Sequence, residues 1–422
     1  MRLSPFTLVF VVAAAAGLFF AGFSTHDFVE HLDRQVHSIH CSFIPGLTNP
    51  DVSGSSGCHV TMMSPYSSVF RSVLWGGLPV SLPAMSVFAF LLFRGIDLLV
   101  NRSASDRGSR VFLVAAATLP LLTSIVFGYL SIVELDAACK LCIGIYASSL
   151  VCFVAALLEL RAVSQPGLGA DIGIVGEDAP TGIGDMRDHV VSFGQGVGFV
   201  AVPILVYVIA MPDYTSYNGT CGTLAKPEDP YGVMVPLGPQ GQGESAIEVF
   251  DPLCPACRGF EDRLDASGLK ERMSRKAVMF PLDTACNWMV GTSLHPGACT
   301  VSKAVLCGED KAEAVVDWAF ENQEAIRTAA TADPAAAETM VLAAFPEMKS
   351  CLTSKVTEQR LNKSLRWAVA NQLPVLTPQL YVNGVKLCDE DTDLGMEYAL
   401  TRLLDTQGGA IKSGAAADGG TP

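Results

Sequence analysis

The stretch Cys139-Lys140-Leu141-Cys142-Ile143-Gly144-Ile145-Tyr146 decides how this chain is read. It follows a short acidic connection, Glu134-Leu135-Asp136, and opens an apolar segment that ends near Leu158. Cysteines at i and i+3 share one helix face, and a helix's first turn offers unpaired N–H groups and a positive dipole end that favour a thiolate. A reactive dithiol fits here, and its place at the lip of a membrane span suits electron exchange with something dissolved in the bilayer. Two small buried residues that happen to be cysteine would give the same spacing.

Working outward, half of the 422 residues are hydrophobic and 17% are charged. Mean hydropathy is +0.37. Five uncharged runs are long enough to cross a hydrocarbon core of about 30 Å as helices. They are Phe6 to Phe23, Val73 to Phe93, Val111 to Val133, Leu141 to Leu158 and Val190 to Met211. The first reads as an uncleaved anchor, because Phe20-Ala21-Gly22-Phe23-Ser24 is a poor small-x-small cleavage site. Arg94, Arg102, Arg107 and Arg110 place the connection after the second run in the cytoplasm. The loop of residues 24 to 72, the turn before Cys139 and everything after Met211 then face outward. From Pro212 onward, 18 Lys and Arg stand against 28 Asp and Glu, a balance that disfavours nucleic acid. Thirteen cysteines suit an oxidising compartment.

In the outer loop, Phe28, Leu32, Val36 and Ile39 are spaced as the apolar stripe of a helix running from His26 to His40. Cys41 and Cys58 bracket a loop rich in turn formers, as either a shuttle disulfide or a static staple. His37 and His40 share a face beside Cys41, so a metal site is considered, but no Cys-x-x-Cys or nearby carboxylate completes a tetrahedral set. No metal is expected. Pro79 and Pro83 fall within the second run and suggest a kink, or else the shaping of a pocket.

From Gln242 the pattern becomes that of an α/β domain. Ala246 to Phe250 reads as a strand, Asp251-Pro252-Leu253-Cys254-Pro255-Ala256-Cys257 leads into a helix over Arg258 to Leu269, and Lys276 to Phe280 is a second strand. A helical region, about Thr300 to Asn371, precedes Thr377-Pro378 and two strands joined at Asn383-Gly384, and a helix near Leu394 to Leu404 closes the domain.

A strand leading into Cys-Pro-Ala-Cys at a helix start, with Thr-Pro before a later hairpin, resembles the thioredoxin superfamily, and within it the periplasmic dithiol oxidases that carry a helical insertion. The resemblance implies that Cys254 is the exposed nucleophile, Cys257 its resolving partner, and Pro378 a cis-proline beside Thr377, which helps bind substrate backbone. A helix N-terminus would lower the Cys254 pKa, as an attacking thiol requires. Residues 5 to 160 resemble the vitamin K epoxide reductase family: Cys41 and Cys58 in the outer loop, Ser64 six positions later, and Cys139-x-x-Cys142 followed by Tyr146. This implies that the loop pair relays electrons to the membrane pair, that Cys142 contacts a quinone, and that Tyr146 and Ser64 help bind it.

The expected fold is therefore multi-domain. A vitamin K epoxide reductase-like membrane domain (1–160), an all-α bundle of four core helices, is followed by a cytoplasmic loop (161–189), a linking span (190–211) and a linker (212–240). A thioredoxin-like extracytoplasmic domain (241–406) and a disordered tail (407–422) complete it. Cys152 has no obvious partner. Six cysteines remain, Cys221, Cys286, Cys299, Cys307, Cys351 and Cys388, and proximity in sequence suggests Cys286 with Cys299 and Cys307 with Cys351, out of fifteen connectivities for six thiols. The expected activity is quinone-dependent protein dithiol oxidation in a bacterial inner membrane. Ubiquinone or menaquinone would be the acceptor and periplasmic client proteins with free thiols the donors. Reverse flow as a reductase or isomerase, and a metal-binding membrane protein using the histidine loop, are the alternatives.

Overall fold

The computed structural model describes residues 4–35, 39, 41, 57–100, 107–164 and 186–417, of which 163, 164 and 407–417 are described by their backbone. The chain divides into two compact units, Met1–Pro212 and Asp213–Pro422. The candidate metal pair His37 and His40, the loop 42–56, Arg102 and residues 165–185 lie outside the described residues.

In the first unit five helices are long and apolar enough to cross a membrane. They are α1 (Pro5–Glu30), α3 (Ser81–Val100), α4 (Arg107–Tyr129), α5 (Lys140–Ser164) and α6 (Met186–Ala210), with a short α2 (Gly57–Met63) between the first two. Helix α1 packs on α3 and α5, α4 packs on α5, and α6 lies along α3. Lipid offers no hydrophobic drive between helices, so close approach depends on small residues. Gly17 accordingly lies against Phe88, Gly95 against Phe10 and Gly144 against Phe20. Cys152 is fully buried among Phe10, Ala155 and Ala156, a small core residue rather than a redox thiol. Arg110, counted above among the loop arginines, is buried in α4 and pairs with Glu159 of α5 at 3.3 Å, while Ser4 Oγ donates to the same carboxylate.

Three expectations are corrected. The first helix ends at Glu30 in a 3₁₀ turn, His31–Asp33, and Arg34 takes a left-handed φ of 66°, so it does not run on to His40. Phe28, Leu32 and Ile39 are nevertheless buried. The second span starts at Ser81 rather than Val73, because Gly76 and Gly77 have positive φ and strands β1 (Ser68–Val69) and β2 (Leu78–Pro79) form a hairpin there. Pro79 thus precedes the span and Pro83 sits in its first turn, where a missing N–H costs nothing, so neither kinks the helix. The closing helix of the chain continues through Ala417, across the start of the expected tail.

The second unit is built on a five-stranded sheet in the order β3-β5-β4-β6-β7. The strands are β3 (Val235–Leu237), β4 (Glu244–Phe250), β5 (Met273–Met279), β6 (Gln379–Val382) and β7 (Val385–Lys386). β4 and β5 are parallel, with α7 (Pro255–Ser267) crossing between them, and β6 runs antiparallel to β4. β6 and β7 turn at Asn383 and Gly384, both at positive φ as a type I′ turn requires. This parallel β-α-β unit followed by an antiparallel hairpin and a closing helix (α14, Met396–Ala417) is a thioredoxin-like arrangement.

Between β5 and β6 lie α8 (Ala298–Gly308), α9 (Ala312–Glu321), α10 (Gln323–Ala332), α11 (Ala336–Ala344), α12 (Lys349–Leu352) and α13 (Lys355–Ala370). Their apolar faces share a core with Phe250, Leu253 and Cys257, so the insertion is packed directly on the Cys-Pro-Ala-Cys segment. The expected Cys286–Cys299 and Cys307–Cys351 disulfides are present, and Cys221–Cys388 ties the residues after the last span to the end of β7. Residues 213–240, read from sequence as linker, thereby contribute both a disulfide and edge strand β3, which pairs antiparallel with β5.

Candidate functional site

In the membrane unit, Cys139 immediately precedes α5, and the Cys142 N–H donates to Cys139 Sγ at 3.2 Å. The approach to Cys139 is fixed by a π-helical turn, Leu130–Glu134, in which Ser131 bonds Ala137 twice: its hydroxyl donates to the Ala137 carbonyl at 2.5 Å, and its carbonyl accepts the Ala137 N–H at 2.9 Å. Opposite lies α2, whose Gly57 touches the Ala138 backbone so closely that a β-carbon would overlap it. That contact sets Cys58 beside the dithiol. Cys41 and Cys58 form a disulfide with 5.6 Å between α-carbons, whereas Cys139 and Cys142 are free. All four sulfurs belong to one apolar cluster with Ile39, Leu141 and Met62.

A cavity of about 420 Å³ opens beside this cluster, with Cys58, Cys139, Cys142 and Tyr146 on its wall. Apolar side chains from α1, α3, α4 and α5, among them Phe28, Val87, Leu119 and Phe127, make most of the lining. Ser64 also lines it, but its hydroxyl donates to the Thr61 carbonyl at 2.8 Å and its own carbonyl accepts from buried Arg71 at 2.5 Å. Ser64 therefore has no hydroxyl proton to spare and serves to close the end of α2. Sequence reasoning missed Arg71, Gly57 and Ser131, since each acts through the backbone of another residue.

In the second unit, Cys254 caps α7 and Pro255 occupies the first helical position, where its absent N–H is not needed. Cys254 is less accessible than expected of an attacking thiol: it is 5% exposed and Cys257 is fully buried. Two elements cover Cys254. Gln323 of the helical insertion donates to the Cys254 carbonyl at 3.0 Å, and Cys254 Sγ donates to the Thr377 carbonyl at 3.7 Å, in front of the cis peptide Thr377-Pro378. The Cys257 thiol donates to the Cys254 sulfur, so the Cys254 pKa falls to about 6 although burial opposes it. Cys257 is pushed well up by burial and by its neighbour's charge. Asp251 and His295, joined at 2.7 Å, stand next to this pair. Beneath it on β4, buried Glu248 titrates at about 7: burial and Glu261 raise it, and Arg275 at 3.6 Å opposes them. None of Asp251, His295 or Glu248 was singled out from sequence, although His295 is the sole histidine from residue 213 onward and that signal was available.

Residues 8–157 match the model of the vitamin K epoxide reductase family. The match lies within the membrane unit. The matched segment contains both of its cysteine pairs and four of its five long helices. Among solved structures, an oxidized DsbA1 mutant is similar at 15% identity, over 45% of this chain and 99% of that one, with a TM-score of 0.28. Comparison with curated proteins found no match. A vitamin K epoxide reductase domain with four cysteines in one cluster, in a chain that also carries a Cys-x-x-Cys pair on a thioredoxin-like domain, makes this protein a membrane thiol–disulfide oxidoreductase.

Proposed function

We propose that the protein oxidises client dithiols outside the cell's inner membrane and delivers the electrons to a membrane quinone. The observation that carries this reading is the packing of the Cys41–Cys58 disulfide and the Cys139/Cys142 dithiol in one cluster on the wall of an apolar cavity among the long apolar helices. Its volume lies within the range of small-molecule sites. An apolar lining with the Tyr146 hydroxyl among few polar groups fits a quinone ring, which needs stacking surface and a donor for its carbonyls. Tyr146 would supply that donor, and Ser64 would hold the cavity's edge. A bound quinone supplies a two-electron, two-proton acceptor.

Each protein step is attack of a thiolate on a disulfide. A client thiolate attacks Cys254 of the oxidised Cys254–Cys257 pair, and Cys257 departs with the electron pair. The client's second thiolate then releases Cys254 and closes the client disulfide. Cys254 and Cys257 in turn reduce Cys41–Cys58, and that pair reduces Cys139–Cys142, leaving Cys142 as the last protein sulfur before the cavity. The depressed Cys254 pKa supports this direction, because a stabilised thiolate favours the reduced form and makes the disulfide a stronger oxidant. Tethering both dithiol modules in one chain replaces diffusion by a high effective concentration. Arg94, Arg102 and Arg107 after the second span support an orientation that puts the thioredoxin-like domain in the periplasm.

The test is the redox state of the three pairs in cells, read by thiol trapping. Cys142→Ala should leave Cys254/Cys257 and Cys41/Cys58 reduced; pairs that stay oxidised would exclude this route.

A further inference from the structure

The loop between β5 and α8 is closed by the Cys286–Cys299 disulfide and organised around the buried Asp283. Asp283 accepts from the Ala285 N–H and the Ser293 hydroxyl on one oxygen, each at 3.0 Å, and from the Gly297 N–H at 3.0 Å on the other. The loop so held carries His295 to Asp251, three residues before Cys254, where His295 Nδ1 meets Asp251 Oδ2 at 2.7 Å. Asp251 is fully buried. Its carboxylate also accepts the Leu253 and Leu282 N–H groups at 2.7 Å each, and its carbonyl accepts the Cys254 N–H at 3.1 Å.

This geometry poses a problem for the reaction. A buried carboxylate fixed one turn from Cys254 repels a thiolate there. His295 is the group placed to cancel that charge. Its Nδ1 is engaged by Asp251, which makes Nε2 the nitrogen that gains or loses the second proton. We infer that His295, oriented and charged by Asp251, is a positioning residue for Cys254, its imidazolium offsetting the Asp251 charge so that Cys254 leaves a mixed disulfide as a thiolate. This rests on the reading above that Cys254 is the exchanging thiol.

In the step concerned, the client's second thiolate attacks the client sulfur of the mixed disulfide. The client S–S bond forms, the bond to Cys254 breaks, and Cys254 keeps the electron pair beside the imidazolium. No proton is transferred to His295. Asp251, Cys254 and Arg327 of α10 act electrostatically on the ring, and Cys257, Asp251 and His295 on the Cys254 sulfur. Burial and Arg327 work against protonated His295, but Asp251 outweighs them and holds its pKa above the ordinary value.

Two measurements on the full-length protein in detergent test this. The first is the pH dependence of iodoacetamide alkylation at Cys254, resolved by peptide mass spectrometry. His295→Asn should move the midpoint up by about one pH unit, the scale of a nearby charge, and His295→Lys, which restores a cation, should bring most of it back. The second needs no variant: by reciprocity of linkage, the His295 imidazole titration followed by NMR should move to higher pH when Cys254–Cys257 is reduced. Equal midpoints in wild type and both variants, equal shifts from Asn and Lys, or a His295 titration indifferent to the redox state would each overturn the inference while leaving the dithiol oxidase intact. If wild-type Cys254 instead forms no mixed disulfide with a reduced client, the reading beneath it fails first, whatever His295 does.

Discussion

Gly57 of α2 rests on the backbone of Ala138, in van der Waals overlap with any β-carbon placed at residue 57. This one contact sets Cys58 next to Cys139, because neither the short α2 nor the turn before α5 can yield without moving its cysteine. Gly57→Ala should therefore leave the Cys41–Cys58 disulfide able to form yet slow its exchange with Cys139/Cys142. A displacement on the order of 1 Å costs roughly a hundredfold in rate. Single-turnover oxidation of the loop pair, quenched and alkylated, measures it directly; an unchanged rate would show that the two pairs do not depend on this approach.

Loss of Cys257 isolates the first exchange. Cys257→Ala leaves Cys254 as a lone thiol whose oxidant is the Cys41–Cys58 disulfide: its attack there forms a mixed disulfide that Cys257 can no longer close and that client thiolates can take up by exchange, so mixed disulfides through Cys254 should accumulate in cells and disappear on reduction in non-reducing gels. Cys254→Ala should trap none. Trapping by the Cys254 variant instead would reverse the roles assigned to the two thiols.

The pH dependence of the reduced domain follows from Cys254. Its folded-state pKa of about 6 lies below the ordinary 9.0, so it contributes stability that is present above the unfolded value and lost as pH falls through 6. Cys257, raised above 9.0, stays a neutral thiol through this window. The thermal midpoint of the reduced protein, relative to the oxidised one, should therefore rise as pH goes from 6 to 9. A flat difference across that range would mean that the Cys254 thiolate is not specially stabilised.

Arg110 and Glu159 join α4 to α5 through a buried ion pair at 3.3 Å. Removing Glu159 takes a carboxylate partner from a buried guanidinium, so Glu159→Ala should cost about 3 kcal/mol of stability in detergent. Replacing the two together by apolar residues of similar volume should recover most of that. Thermal unfolding of the single and double variants decides it, and equal losses would point to packing rather than charge.

The chemistry of this chain was more legible than its supports. The Cys286–Cys299 separation and the Asn383-Gly384 turn are local signals, and each predicted what the structure holds, while the spacings at 139/142 and 254/257 marked where two helices begin. Apolar runs also located the spans, but not the start of the second, since hydropathy cannot see that Gly76 and Gly77 turn the chain before Ser81. The contributions of Gly57, Ser131 and Asp251 arise from backbone atoms brought together by the fold, and no periodicity marks them. Edge strand β3 was too short to stand out from its glycine- and proline-rich surroundings.

Electrons should run from a client dithiol to a quinone through one polypeptide. Purified full-length protein in detergent, given a reduced unfolded polypeptide and a soluble quinone analogue, should bleach the quinone absorbance in step with thiol loss, two electrons per disulfide formed. Cys142→Ala should stop the bleaching after any bound oxidising equivalents are used. Thiol loss without quinone reduction, or quinone reduction that survives Cys142→Ala, would contradict it.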